Sequence, residues 1–369
     1  NESAMPRLYT NEQGETFMSW VETPKEGMAQ LYFSKLENGS WLAPQLIAEG
    51  DNWFVNWADF PSLIENQGHM AAHWLQKSDK GTFDYDVRVS MSADEGNSWE
   101  NSFIPHKDGI AAEHGFVSML PLKNKQTFVT WLDGRNTKTG EMSDHSGHGG
   151  GPMSLRAAIF DNEGNTVSEW ELDDRVCDCC QTTAVETDSG ITVIYRDRSE
   201  NEIRDMSVVR LVDNEWTAPT PLKVELWEMP ACPVNGPSAS ALGDHMAVAW
   251  FMAKGGTPEV KLAFSEDGGA NFKDPIVVSQ GNTSGRVSTT MLNDGTLLVS
   301  WLESQGDTAQ IMLAKYDKTG ALLKKTMVVQ SSASRASGFP TLTSNGDDVY
   351  IAWTQADIQK EIKTAKINL

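Results

Sequence analysis

No stretch of about 18 or more apolar residues occurs anywhere in the 369-residue chain, so no segment reads as a membrane-spanning helix. Basic residues are scarce beside acidic ones: 30 Lys and Arg against 51 Asp and Glu, a formal net charge of -21. Nucleic acids and anionic membranes bind through clustered cations that displace counterions, so both are set aside as partners. The acidity itself reads as a solvated surface and says little about a ligand. Helical periodicity is almost absent, which argues against a bundle. The chain begins at Asn1 with neither Met nor a basic, apolar leader. The expectation is a mature exported protein, periplasmic or secreted, whose signal has been removed.

What is present is a repeat. A short β-rich run ending in an aromatic occurs seven times, at Trp20, Trp74, Trp131, Tyr195, Trp250, Trp301 and Trp353, spaced 51 to 64 residues apart. A strand begins 13 or 14 residues before each, at Pro6, Pro61, Val117, Thr182, Pro237, Val287 and Pro340. Proline is tolerated at a strand's first residue, where its missing N–H leaves no ladder bond unmade. A third alternating strand follows each aromatic and a fourth usually follows that. The reading is one all-β domain over residues 1–369, a β-propeller of four-stranded antiparallel blades. Seven blades are counted, with six as the alternative. The last unit runs out after three strands, so the N-terminus is expected to supply its fourth.

Two turns between third and fourth strands share the pattern S-x-D-x-G-x-x-aromatic: Ser92 to Trp99 and Ser265 to Phe272. The Asp can accept backbone N–H bonds within the hairpin, Gly supplies positive φ, and the aromatic packs beneath. The pattern resembles the Asp box, or BNR repeat, of the sialidase superfamily. That resemblance implies a propeller; in the family's enzymes it further implies three arginines holding a sugar carboxylate, a Tyr nucleophile activated by a Glu, and an Asp acid/base. The family's first arginine stands two residues before a proline. Ala4 occupies that place here, and Arg7 lies on the other side of Pro6. An obvious nucleophilic tyrosine is also lacking, so glycoside hydrolysis stays an open option.

Loops that follow the repeat aromatics share one face with loops that precede the next blade, and function concentrates on such loops. That face receives Asp133, Arg135, Arg196, Asp197, Arg198 and Arg286, candidates for binding an anionic ligand such as a charged glycan through the planar guanidinium fork. The structural alternative is that Asp197 and its flanking arginines form inter-blade ion pairs. Asp59 and His114 are candidates for proton transfer by position.

The same face collects Cys177, Cys179, Cys180 and Cys232, together with His145 and His148 from a glycine-rich insertion. Thiolate and imidazole suit zinc or copper, and nearby Met142 or Met153 would favour copper(I). Cys-x-Cys-Cys is not the usual structural-zinc spacing. Disulfides, a metal site and a redox thiol all remain open, four cysteines allowing three complete pairings. The functional expectation is therefore an exported sialidase-like propeller binding an anionic ligand. The alternative is a copper- or zinc-binding protein built on the Cys/His cluster.

Overall fold

The computed structural model describes residues 1–24, 27–138, 151–356 and 359–368. Seven separate antiparallel sheets follow one another along the chain, each strand pairing with its sequence neighbour. They are the seven blades, I to VII. The inner strands are Glu2–Thr10, Ser62–Asn66, His114–Pro121, Thr183–Thr187, Ser238–Leu242, Thr283–Met291 and Thr341–Asn345. All seven repeat aromatics lie in the second strands and are buried. Two of them satisfy their polar atom locally: Trp131 and Trp301 donate ring N–H bonds to Asp133 and Glu303 two residues on, at 2.9 and 3.0 Å. A buried indole keeps its large apolar contribution without an orphaned donor. No helix of the described residues is long and apolar enough to cross a membrane.

Three inner strands begin earlier than the spacing predicts. In blades I, III and VI the strand runs through an extra residue held at positive φ, Met5 (58°), Phe116 (53°) and Arg286 (53°), and its pairing shifts register there. These are β-bulges, which re-aim the side chains that follow. In blade I the bulge falls between Ala4 and Arg7, so simple alternation fails, and Arg7 lines the central channel.

Ring closure also differs from the expectation. Glu2–Thr10 pairs with Thr16–Thr23 inside blade I, and blade VII has three strands among the described residues. The seam is instead held by side chains meeting backbone. Met5 N–H donates to Thr354 Oγ1 (3.2 Å), Ile362 N–H to Ser3 Oγ (3.1 Å), and Lys360 pairs with Glu2 (3.0 Å).

The two S-x-D-x-G turns are built alike. Asp94 Oδ1 accepts from Ser92 Oγ (2.8 Å) and Ser98 N–H (2.9 Å), and Asp267 Oδ1 accepts from Ser265 Oγ (2.8 Å) and Asn271 N–H (2.8 Å). Both follow the third strand of their blade, Tyr85–Ser92 and Glu259–Ser265, a fourth strand coming after the turn in blade V only, and both act as folding devices.

Candidate functional site

A channel of about 190 Å³ runs down the axis, lined by residues of the inner strands of blades I to VI and of the turns leading into the strands, Phe339 being the contribution of blade VII. Around its mouth the structure assembles three groups of charged or ligating side chains.

The first is the cysteine cluster. The chain leaves blade III at Val176, turns through Cys177 to Cys180, and enters the inner strand of blade IV at Thr183. Gln181 and Thr182, directly after Cys180, line the channel. The sulfurs of Cys177, Cys179 and Cys180 lie within 4.8 Å of one another, all buried. Cys177 Sγ and Cys180 Sγ are 3.2 Å apart, far beyond a covalent S–S bond, and Cys177, Cys179 and Cys180 are thiols outside any disulfide. Cys179 is also within hydrogen-bonding reach of Cys232, which comes from the loop preceding blade V.

Cations surround this cluster. Arg204 Nη1 donates to Cys177 Sγ at 3.1 Å, and the Arg196 guanidinium acts on Cys180. Burial pushes the Cys177 thiol up to about 11, and contacts with the other three sulfurs push Cys179 well above the usual thiol range. Cys180 goes the other way. Burial opposes its ionisation, but hydrogen bonds from Cys177 and Cys179, the charge of Arg196 and the Asn235 N–H outweigh it. Its pKa therefore lies well below the usual thiol range, opposite in direction to its two neighbours.

Arg196 itself is bound on every side. Nε and Nη2 donate to Asn235 O (3.2 and 2.8 Å), Nη1 to Arg204 O (2.8 Å), and Nη2 to Phe251 O (2.6 Å). Its ring neighbour is Trp227, 4.9 Å away. Arg198 holds Asp178 through two 2.9 Å bonds and Glu202 at 2.8 Å. Asp197 does not pair with either neighbour. Its Oδ1 accepts the Arg198 N–H at 2.6 Å, and burial, with Asp173 nearby, raises its carboxyl to about 6. The expected Arg-Asp-Arg pocket is thus three side chains with separate tasks.

The second group lies between blades II and III. His114 Nε2 is 3.0 Å from Asp108 Oδ2 and 3.5 Å from Asp133 Oδ1, and its ring stacks on His106 at 3.6 Å. Arg135 clamps Asp133 with two bonds, Nε to Oδ1 (2.8 Å) and Nη2 to Oδ2 (2.7 Å), and reaches Asp108 at 3.2 Å. Asp133 and Arg135 therefore bind each other. Asp86, Asp108 and Asp133 form metal-capable sets with these histidines. Arg135 already supplies a cation there, and two parallel stacked rings cannot both aim a lone pair at one ion.

Beside it, Asp59 lines the channel and is nearly inaccessible. Its Oδ1 accepts Phe116 N–H (2.7 Å), and Tyr85 Oη lies 3.0 Å from Asp59 Oδ2 and 2.9 Å from Glu113 Oε1. One phenol hydrogen cannot serve two carboxylates. Burial raises Asp59 to about 8, so Asp59 carries a proton at neutral pH and donates to Tyr85, which donates to Glu113.

Burial disfavours a charged His114, but Asp108 and Asp133 outweigh it and raise the imidazole to about 9. Both shifts have the same sign. Folded-state values above the unfolded ones give stability that is complete below the unfolded pKa and lost as pH rises through the folded one. His114 should thus lose up to about 3 kcal/mol of stabilisation between pH 6.5 and 9, and Asp59 adds a decline that continues through about pH 8. Urea midpoints should fall steadily over this range, and His114→Gln should flatten the alkaline part of the curve.

The third group is at the channel mouth between blades I, VI and VII. Arg7 lies over Phe60 (4.4 Å), and Trp57 is flanked by Arg286 (4.9 Å) and Arg335 (5.9 Å). Phe339 stacks on Trp57 and touches Phe60, joining the three. Among the described residues, no carboxylate pairs with Arg7, Arg286 or Arg335. Burial lowers Arg7 and Arg286 to about 10. Arg286 Nη1 also donates to Ser334 O, Ser337 Oγ and Gly338 O, at 3.2, 2.8 and 2.9 Å. His145 and His148 lie outside the described residues.

Sequence reasoning missed Arg204, Asn235, His106, Asp108 and the Tyr85–Glu113 pair. Nothing in their spacing marks them, because each becomes significant through a contact with another blade or a distant loop.

No protein-family model matches the chain, and no curated protein matches it. Solved structures do. An ulvan lyase is 12% identical with a TM-score of 0.59, covering 100% of this chain and 94% of that one. An α-L-arabinofuranosidase from Fusarium graminearum is 12% identical with a TM-score of 0.53, covering 100% and 93%. The NanB sialidase of Streptococcus pneumoniae is 8% identical with a TM-score of 0.52, covering 96% and 83%. At such identities the likeness is one of fold: the chain is a seven-bladed propeller similar in architecture to several enzymes named for action on glycans.

Proposed function

We propose that this propeller holds a soft metal ion, copper(I) or zinc(II), in a thiolate site made by Cys177, Cys179 and Cys180. The observation that carries this reading is three buried, unbonded sulfurs within 4.8 Å, with the guanidiniums of Arg204 and Arg196 beside them. Buried free thiols packed together without a bond are poor apolar packing, but they match the donor set of a thiophilic ion. Arg196 and Arg204 balance the excess negative charge of a multi-thiolate complex. Ligation would also keep the clustered thiols from oxidising to disulfides.

Anaerobic titration with copper(I) and with zinc(II), paired with a count of reactive thiols, tests it. One ion per chain with loss of thiol reactivity is expected. Absence of binding by the fully reduced protein would refute it.

A second reading rests on the channel mouth. Arg7, Arg286 and Arg335 face one aromatic cluster without acidic partners in a chain of net charge -21, which favours an anionic ligand, a carboxylate- or sulfate-bearing glycan being the class the fold neighbours suggest. Calorimetry with a sulfated, uronate-containing oligosaccharide should show Arg7→Gln weakening binding about tenfold or more, as expected for a lost charge-assisted contact. Equal affinity in the variant would remove Arg7 from the site.

A further inference from the structure

The four thiols are not equivalent. Cys177 and Cys180 are 1% and 2% exposed, Cys179 is 8% exposed, and Cys232 is exposed. Their exposure rises from the interior to the surface. Cys177 and Cys180 touch at 3.2 Å at the buried end, and Cys179 reaches both of them and Cys232. The outer member is held by an unusual backbone. Cys232 sits between Pro230 and Pro233, and Val234 adopts a positive φ of 50°, a genuine outlier for a β-branched residue. Such strain persists only where surrounding structure enforces it, and it gathers at functional sites. One residue further, Asn235 gives its N–H to Cys180, its carbonyl to Arg196 and its Oδ1 to the Arg286 N–H (2.7 Å). The strained turn therefore ties the surface thiol to the floor of the cluster.

A site built only to retain an ion would bury all its ligands. This one leads outward.

We propose that the cluster is a copper(I) transfer site, in which Cys177 and Cys180 seat the ion, Cys179 is the pivot, and Cys232 is the surface thiol through which copper enters and leaves. The proposal rests on the metal-binding reading above and narrows it. Zinc(II) favours four ligands held together, whereas thiolate and thioether donors select copper(I), and a file of thiols engaged two or three at a time suits that ion. Each step is ligand exchange without electron transfer. As copper shifts from Cys177 and Cys180 to Cys179 and Cys232, the protons of the latter pair pass to the former. Two thiols of the acceptor then bond to copper as the Cys179–copper and Cys232–copper bonds break. Copper stays in the +1 state, and Cys179 and Cys232 take up the two protons that the acceptor's thiols release. The partner is thus a reduced thiol carrier, a small thiol or a protein presenting exposed cysteines.

The test uses the full chain loaded anaerobically with one equivalent of copper(I) and challenged with bathocuproine disulfonate, a bulky copper(I) chelator, in stopped flow. Cys232→Ser should retain wild-type stoichiometry but release copper about tenfold more slowly or worse, one decade being a modest change in barrier. Release at the wild-type rate or faster would show that the chelator reaches the inner thiols directly, overturning the transfer role while leaving the metal site intact. Loss of copper by this variant would make Cys232 a retaining ligand and overturn the role equally. A wild-type chain that takes up no copper(I) would instead refute the reading beneath it. Thermal melts of both proteins, matched before loading, exclude misfolding as the cause.

Discussion

Cys180→Ser protein is expected to bind copper or zinc about two to three orders of magnitude more weakly than the wild-type chain. Cys180 is the thiol of the cluster whose ionisation is most favoured: Arg196, the Asn235 N–H and two neighbouring thiols lower its pKa well below the usual thiol range although burial opposes it. It is therefore the ligand that meets an incoming ion first. Serine preserves the size and can still accept those hydrogen bonds, so the local fold should survive. What it cannot supply is a soft donor. Structural zinc sites gain roughly 10–16 kcal/mol from their ligands together, so losing one thiolate removes about 3–4 kcal/mol, or two to three orders of magnitude in affinity. Competition against a chelator of known affinity measures this directly, and a loss smaller than tenfold would remove Cys180 from the site.

The second large effect is on stability. Arg196→Met should destabilise the propeller by about 3–5 kcal/mol, the usual consequence of leaving buried partners of a charged group unpaired. Arg196 is 2% exposed, and its guanidinium serves the carbonyls of Asn235, Arg204 and Phe251, which belong to two blades and the loop between them. Methionine fills much of the volume yet satisfies none of them. Urea denaturation reads the change, and a shift below about 1 kcal/mol would mean that water replaces the guanidinium without loss. Because Arg196 also acts on Cys180, the same variant should raise the reactivity threshold of that thiol toward alkaline pH.

The architecture was legible because a propeller writes itself as repetition. Seven aromatics at matching places, each closing a short apolar run, required seven second strands, and the structure has them. Strand starts were read less well, since the bulges at Met5, Phe116 and Arg286 depend on backbone conformations that these residues do not advertise. Parity errors follow from such bulges. Alternation counted from Pro6 could not show that Arg7 lines the channel. The convergence of the cysteines was visible from blade order alone, and the structure brings them together. Their charge environment was not, because Arg204 and Asn235 reach the cluster from a later strand region and a different loop.

The arginines chosen from sequence illustrate the other limit. Residue type suggested ligand binding for Arg135, Arg196 and Arg198 alike. Arg135 is clamped on Asp133, Arg198 on Asp178 and Glu202, and Arg196 on carbonyls. Arg286 alone of that set sits at the channel mouth, beside Arg7 and Arg335, which carried no distinguishing motif. A guanidinium's task is set by the acceptors the fold brings to it, and those acceptors are mostly backbone atoms remote in sequence.

The most direct test of the central claim is X-ray absorption at the metal edge on anaerobically loaded wild-type protein. Coordination by sulfur alone, with three or four sulfur neighbours near the roughly 2.3 Å of a metal–thiolate bond, is the predicted result. A shell of nitrogen and oxygen donors, with the four thiols still free or paired as disulfides, would contradict it.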